Sequence, residues 1–211
     1  MTIRVLVADD HALVRQGLRQ VLSFSNELSL AAEARNAWEV IERVRDGGLD
    51  VVLLDMSMPG PSGVELIRRL RAEAPRVPIL VLSMHAEAQI AARAIKAGAR
   101  GYLTKDSEPE LLIDAIRQVG RGGNFIDPAL ATQLVFEMGS TTDEAPHANL
   151  TNREYQVFLA LVQGRGQVEI AQELNLSPKT VSTHKFRLMR KLGIDSLSEL
   201  VRYAIRHGLA T

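Results

Sequence analysis

Residues 51–60, with the sequence Val-Val-Leu-Leu-Asp-Met-Ser-Met-Pro-Gly, join a short apolar run to a carboxylate and then to two residues that interrupt regular structure. A run of this length and boundary is typical of a strand buried on both faces of a parallel sheet. Similar runs precede and follow it, at Ile3–Ala8, Leu28–Ala34, Ile79–Ser83 and Gly101–Leu103. The first part of the chain is therefore expected to contain five strands.

Amphipathic stretches lie between these runs and have the spacing of helices. The apolar residues are Leu13, Leu18, Val21 and Leu22 in one stretch, and Val64, Ile67 and Leu70 in another. A last helix is predicted from about Glu108 to Val119, before three breaking glycines. This alternation predicts an α/β domain over residues 1–123, with a parallel five-stranded sheet and right-handed crossovers.

The remainder of the chain is predicted to be a linker followed by a helical domain. The linker covers residues 124–149, contains a short helix from Pro128 to Met138, and then becomes polar. Residues 150–211 show helical spacing throughout, with short connections, and predict an all-α domain of four helices.

Capping residues mark the helices of this second domain. Thr151 and Glu154 have the spacing of a capping box at the start of its first helix. Ser177 and Pro178 form an N-cap and a first-turn proline for the third helix, and Gly193 ends it.

Composition narrows the class of protein. The 211 residues include no cysteine, which excludes disulfides and thiolate sites and is compatible with a reducing cytoplasm. Residues 148–211 carry nine Lys and Arg against five Asp and Glu, a balance that suits a polyanionic partner. No export signal is evident, and no run approaches the ~20 apolar residues of a membrane helix. We expect a soluble cytoplasmic protein that does not bind membranes.

Polar residues cluster at the predicted strand ends. Asp9 and Asp10 follow the first strand, Asp55 the third, Ser83 the fourth, and Lys105 the fifth. Carboxyl ends of parallel strands share one edge of a sheet, where ligands bind. Crowded carboxylates favour a hard divalent cation such as Mg²⁺, and a lysine and a hydroxyl suit a phosphoryl group. Each residue alone could simply solvate a loop, but together they predict a phosphoryl site.

Four motifs carry a resemblance to a known family: Val-Ala-Asp-Asp-His, Leu-Leu-Asp-Met-Ser-Met-Pro-Gly, Leu-Ser-Met-His and Gly-Tyr-Leu-Thr-Lys-Asp. They are similar to those of response regulator receiver domains, which have a flavodoxin-like (βα)5 fold. The resemblance implies that Asp55 accepts a phosphoryl group from a histidine kinase. It further implies that Asp10, Asp55 and the Met56 carbonyl ligate Mg²⁺, and that Asp9 assists through water.

The same resemblance assigns a switch. It implies that Ser83 bonds the phosphoryl group, that Lys105 pairs with it, and that Tyr102 turns inward, although Tyr102 could equally be an ordinary residue at the sheet edge. His11 and His85 are interpreted as surface or positioning residues, and His85 as a residue that tunes dephosphorylation.

The second domain resembles the LuxR-type helix-turn-helix in Leu-Thr-Asn-Arg-Glu, Glu-Ile-Ala-Gln-Glu-Leu and Ser-Pro-Lys-Thr-Val-Ser-Thr-His. With the receiver, this places the chain in the NarL/FixJ family and implies that the third helix binds the major groove of double-stranded DNA. A helical wheel puts Val181, Leu188 and Leu192 on the buried face.

The opposite face of that helix supplies the predicted DNA contacts. We assign phosphate contacts to Lys179, Arg187 and Arg190 and base contacts to Ser182 and Thr183, with Thr180, Lys185 and Phe186 as further candidates. Lys185 lies nearer the buried side. Phe186 replaces a residue that is often polar in the family and could touch a thymine methyl or pack on the receiver. Val168 stands where many relatives have lysine.

The apolar fourth helix could form the seam of a homodimer on DNA, or simply complete the core. Three other functions remain open. A phosphohydrolase resembling the haloacid dehalogenases would place Asp-x-Asp after one strand, whereas these acids follow two. A ligand-sensing regulator would need an apolar pocket in place of the acids. A DNA-binding protein with a silent receiver is also compatible with the sequence.

Overall fold

The structure, a computed structural model, describes residues 2–61, 63–84, 88–131, 146–174 and 176–210. Contacts divide the chain into two units, Met1–Ser140 and Thr141–Thr211. In the described part of the chain, no helix is both long and apolar enough to cross a lipid bilayer.

The N-terminal unit is a parallel sheet with helices in its crossovers. Its strands are β1 (Ile3–Ala8), β2 (Leu28–Ala34), β3 (Val51–Asp55), β4 (Ile79–Ser83), β5 (Gly101–Thr104) and β6 (Phe125–Ile126). Its helices are α1 (Ala12–Ser23), α2 (Ala37–Asp46), α3 (Gly63–Glu73), α4 (Ala88–Lys96) and α5 (Pro109–Gly120).

The strand order is β2-β1-β3-β4-β5-β6, and every pair is parallel. The first five strands follow the flavodoxin-like order, so the predicted fold class is confirmed. The short β6 extends the sheet beyond the five predicted strands. Its residues Phe125 and Ile126 had been assigned to the linker of residues 124–149, and they belong to the sheet instead. Two residues carry too little periodicity to be recognised as a strand.

The central strands form the core because both of their faces are covered. All residues of β3 and β4 are buried, as the continuous apolar runs predicted. Val64, Ile67 and Leu70 of α3 are also buried, as expected. Leu13 was predicted to lie on the apolar face of α1, and this was wrong, because 82% of its surface is exposed. Arg15, instead, is the buried residue of the first half of α1.

The C-terminal unit begins with a 3₁₀ helix, Pro146–Asn149, within the region assigned to the linker. Four helices follow: α6 (Asn152–Val162), α7 (Gln167–Glu173), α8 (Pro178–Leu192) and α9 (Leu197–Arg206). The predicted capping box of Thr151 and Glu154 is present. Ser177 caps α8, and Gly193 ends it in the left-handed region at φ 66°. Of the predicted linker helix, only residues 128–131 are described, as helix, and residues 132–138 lie outside the described part.

Candidate functional site

The carboxyl edge of the N-terminal sheet brings the predicted acidic residues together. Asp9 and Asp55 are buried, Asp10 is exposed, and ligand atoms of these three residues and His11 all lie within 4.8 Å of one another. Asp9 and Asp10 continue from β1, and Asp55 is the last residue of β3, its neighbour in the sheet. Parallel pairing therefore explains why acids distant in sequence converge.

Lys105 supplies the positive charge at this cluster. Its Nζ donates to Oδ2 of Asp9 at 2.5 Å and lies 3.2 Å from Oδ1 of Asp55. The lysine side chain is almost fully buried. Its backbone N–H donates to the Ser83 carbonyl at 2.8 Å, which ties the loop after β5 to the end of β4.

The environment of Asp55 is unusual for a carboxylate. Burial raises the pKa of Asp55 above its ordinary value, the Lys105 charge opposes this, and the charges of Asp9 and Asp10 reinforce it. Oδ2 of Asp55 is buried and accepts no hydrogen bond from the residues that the structure describes. A buried carboxylate oxygen without a partner is costly in a resting structure and is common where a group must remain available for a ligand.

The other residues predicted for the metal site and the switch are buried on β4 and β5 or directly after β3. Ser83 is buried at the end of β4, and Tyr102 is fully buried in β5. Because β5 lies between β4 and β6, Tyr102 is not at the edge of the sheet, which removes that alternative. Met56 is buried directly after β3. His85 lies outside the described residues.

Three residues that support this cluster were not recognised from the sequence as parts of it. Arg15 Nη1 donates to the Asp9 carbonyl at 2.8 Å. An added Cβ at Gly63 would lie 3.0 Å from the Met56 carbonyl oxygen, so glycine keeps that carbonyl accessible at close range. Asp127, beyond the predicted receiver, binds the loop that carries Lys105. Asp127 lies 23 residues from Thr104, and Arg15 binds a backbone carbonyl across the connection from β1 to α1, so no pattern of apolar or polar side chains reveals either contact.

His11, which was interpreted as a surface or positioning residue, contacts two of the acids. Its backbone N–H donates to Oδ1 of Asp9 at 2.7 Å, and its ring Nδ1 lies 2.9 Å from Oδ1 of Asp10. His11 therefore positions both acids at the start of α1, which agrees with the alternative of a positioning residue.

In the C-terminal unit, α8 presents the two faces that the helical wheel predicted. Val181, Leu188 and Leu192 are buried. The predicted DNA contacts that are exposed are Lys179, Ser182, Thr183, Phe186, Arg187 and Arg190. Thr180 and Lys185 are half-buried, and the amide of Thr180 is occupied by the Ser177 cap at 3.1 Å.

An aromatic ring and a guanidinium lie together on the exposed face. The Phe186 ring is 66% exposed, and the Arg190 Cζ lies 5.9 Å from its centroid, within the range of a cation–π contact. His184 was not recognised from the sequence. It is half-buried, its Nδ1 has no hydrogen-bond partner among the described residues, and burial lowers its pKa.

An ion pair holds α8 against α6. Nζ of Lys191 donates to Oε2 of the buried Glu154 at 2.6 Å. The same Oε2 accepts the Thr151 amide at 2.8 Å. Burial alone would raise the pKa of Glu154, but the bonds from Lys191 and Thr151 lower it overall. This ion pair therefore fixes the C-terminal end of α8 against α6.

Comparisons with known proteins match both units. The family profile of the response regulator receiver domain covers residues 5–117, and that of the bacterial regulatory proteins of the luxR family covers residues 148–204. Response regulator UvrY of Escherichia coli strain K12 is 39% identical over 208 residues, which span 98% of this chain and 95% of UvrY.

Solved structures of the regulator RcsB are also similar. RcsB of Salmonella enterica serovar Typhimurium, bound to promoter rprA with the phosphomimetic BeF3⁻, is 25% identical with a TM-score of 0.60, over 96% of this chain and 98% of RcsB. A structure of two RcsB dimers on two parallel DNAs is 26% identical with a TM-score of 0.60 over the full length of both chains. Full-length agreement of sequence, domain order and fold assigns this chain to the NarL/FixJ family of two-component response regulators, with a receiver domain and a LuxR-type DNA-binding domain.

Proposed function

We propose that a histidine kinase phosphorylates this regulator on Asp55 and that the phosphorylated protein binds double-stranded DNA as a homodimer. The observation that carries the proposal is the buried Asp55 Oδ2. It accepts no hydrogen bond within the described part of the chain and lies beside a buried lysine and two further acids. An oxygen that accepts no hydrogen bond keeps its lone pairs available for attack on phosphorus.

The chemistry assigned to Asp55 is nucleophilic. An oxygen of Asp55 attacks the phosphorus of a phosphohistidine, a P–O bond forms, and the P–N bond breaks. The histidine leaves as neutral imidazole after taking a proton. The product on this chain is an acyl phosphate, so the regulator takes part in its own phosphorylation, although it is not a typical enzyme.

The acids of the site fit Mg²⁺, because their hard oxygen donors come from two adjacent strand ends. Asp10, Asp55 and the Met56 carbonyl are the proposed ligands, with Asp9 assisting through water. When bound, the ion neutralises charge on the transferred phosphoryl group. Lys105 pairs with a phosphoryl oxygen, Ser83 donates its hydroxyl to another, and Tyr102 follows Ser83 as part of the switch.

The receiver has an apolar cleft beside this site that a kinase could bind. A cleft of about 540 Å³ is lined by apolar residues of α1, including Val14, Leu18 and Val21, and reaches Lys105. We propose that an apolar helical face of the kinase occupies it, which would bring the phosphohistidine to Asp55.

The DNA interface of the proposal is the exposed face of α8. Lys179, Arg187 and Arg190 are assigned to phosphates, and Ser182 and Thr183 to base edges, with Thr180, Lys185 and Phe186 at its margin. The similar RcsB structures, which are bound to DNA, support this assignment. The exposed Leu197 and Ile205 of α9 suit a dimer seam. Both DNA and kinase domains are accessible in the bacterial cytoplasm, where we place the protein.

A single experiment tests the whole proposal. The wild-type protein and Asp55→Asn are incubated with acetyl phosphate and Mg²⁺, analysed by intact-mass spectrometry, and titrated with genomic DNA fragments. We expect one added phosphoryl group and increased DNA affinity for the wild type alone. An equal DNA response in Asp55→Asn would contradict gating by Asp55 and favour a silent receiver.

A further inference from the structure

Asp127 is a buried carboxylate that joins two segments of the receiver. It follows β6, and only 6% of its surface is exposed. Oδ2 accepts a hydrogen bond from Thr104 Oγ1 at 3.1 Å and lies 3.4 Å from Ser107 Oγ. Oδ1 accepts the Ala129 amide at 3.0 Å. One side chain therefore binds the loop after β5 with one oxygen and the turn after β6 with the other.

The loop bound by Oδ2 is the one that carries Lys105. Thr104, the last residue of β5, directly precedes Lys105, and Ser107 follows it by two residues. The two hydroxyls also lie 2.9 Å apart, so they form a cluster with Asp127. Lys105 points its ammonium to Asp9 and Asp55 from the same loop. Asp127 therefore contacts residues on both sides of Lys105 in the chain.

The turn bound by Oδ1 is the last described part of the receiver before the chain continues to the DNA-binding domain. Residues 128–131 are helical, and Asp127 caps them because its side chain holds the Ala129 amide and its carbonyl accepts the Leu130 amide at 2.9 Å. The Asp127 amide donates to the Tyr102 carbonyl at 2.9 Å, which anchors the cap to β5.

We propose that Asp127 is a positioning residue that couples the phosphorylation site to the start of the linker. Rearrangement of Lys105 on phosphorylation of Asp55 displaces Thr104 and Ser107, and Asp127 passes that displacement to the helical turn at 128–131. This inference rests on the proposed function. A buried carboxylate is suited to this coupling, because leaving its oxygens without hydrogen-bond donors costs free energy. When Thr104 and Ser107 move, Asp127 must therefore follow them or release the turn at 128–131.

The test removes the side-chain hydroxyls that contact Oδ2 of Asp127 and keeps the contact of Oδ1. Thr104→Val with Ser107→Ala removes the hydroxyls of the loop and leaves the cap on Ala129 intact. Thr104→Ser keeps a hydroxyl and serves as the conservative rescue, and the exposed Asp106→Asn is the control within the same loop. Each full-length protein is treated with acetyl phosphate and Mg²⁺, and phosphoryl incorporation is measured by mass spectrometry.

The decisive readout is the ratio of DNA affinities with and without phosphorylation, on a genomic fragment selected by the phosphorylated wild type. We expect the double variant to be phosphorylated and its ratio to fall by about fivefold or more, a typical size for allosteric coupling. Thr104→Ser and Asp106→Asn should keep the wild-type ratio. A merely structural role would lower thermal stability and leave the ratio unchanged, and that result would overturn the inference. Absence of phosphate on the wild type would instead overturn the proposed function itself.

Discussion

The ammonium nitrogen of Lys105 lies 3.2 Å from Oδ1 of Asp55, so a cation from the end of one strand faces the carboxylate that ends another. The same nitrogen binds Asp9. In this arrangement Lys105 neutralises part of the charge that would otherwise attract a metal ion. In the proposed function, Mg²⁺ would compete with Lys105 for these acids until a phosphoryl group provided a partner for each cation.

We expect Lys105→Met to bind Mg²⁺ about tenfold more tightly than the wild type. Unit charges about 4 Å apart interact by about 4 kcal/mol at an effective dielectric constant of 20, and a third of that corresponds to tenfold. Phosphorylation by acetyl phosphate should become slower, because the phosphoryl oxygens lose their cation. Isothermal titration with Mg²⁺ measures the affinity, with the exposed Lys96→Met as control. Unchanged affinity would show that Lys105 does not compete.

Glu154→Gln should lower the stability of the protein by about 1 kcal/mol at neutral pH, since glutamine retains the cap but loses the charged bond from Lys191. The pKa of Glu154 is lowered in the folded state, so its contribution exists above the unfolded value of 4.5 and is lost as pH falls through the folded pKa.

Calorimetry of the wild type and Glu154→Gln at pH 7 and at about pH 3.5 checks this dependence of stability on pH. We expect a difference in Tm of about 4–8 °C for the affected transition at pH 7 that shrinks in acid. A difference that is the same at both pH values would assign the effect to packing and not to charge.

Phe186→Ala should reduce affinity for the selected DNA by about fivefold to thirtyfold without changing its salt dependence, because an apolar contact is lost and no charge is removed. Arg190→Gln, one turn along the same face, should instead lower the salt slope by about 0.9. Titrations at several salt concentrations distinguish the two. If Phe186→Ala raises the affinity of the unphosphorylated protein, the ring packs on the receiver instead.

Val168→Lys should strengthen DNA binding. The Val168 side chain is 60% exposed at the start of α7, the helix that precedes α8 and would cross the phosphate backbone in a helix-turn-helix complex. One added phosphate contact steepens the salt slope by about 0.9. Gln16→Lys, an exposed position on the receiver, controls for net charge. Equal gains in the two variants would refute a local contact.

Most of the receiver fold was predictable, because its signals are local. A buried strand needs a continuous apolar run, and β3 and β4 are such runs. The faces of α8 were predictable for the same reason, since helical period places Val181 and Leu188 together. The convergence of Asp9 and Asp55 followed from topology, because acids at the carboxyl ends of adjacent parallel strands must meet.

The supporting contacts were not predictable, because each depends on how separate elements pack against one another. Leu13 follows the apolar spacing of α1, yet it lies exposed, while Arg15 is buried against the Asp9 carbonyl. Two residues of β6 carry no periodic signal and join the sheet only because β5 offers them a free edge.

The amino-acid sequence by itself determined the two domains, the sheet and the residues at its carboxyl edge, since apolar period and strand-end position are properties of neighbouring residues. Only the tertiary structure decided that Lys105 occupies the acid site and that Asp127 joins its loop to the turn beyond β6. Hydrogen bonds and ion pairs act over about 3 Å in space whatever the separation along the chain, so such contacts exist only once the chain has folded.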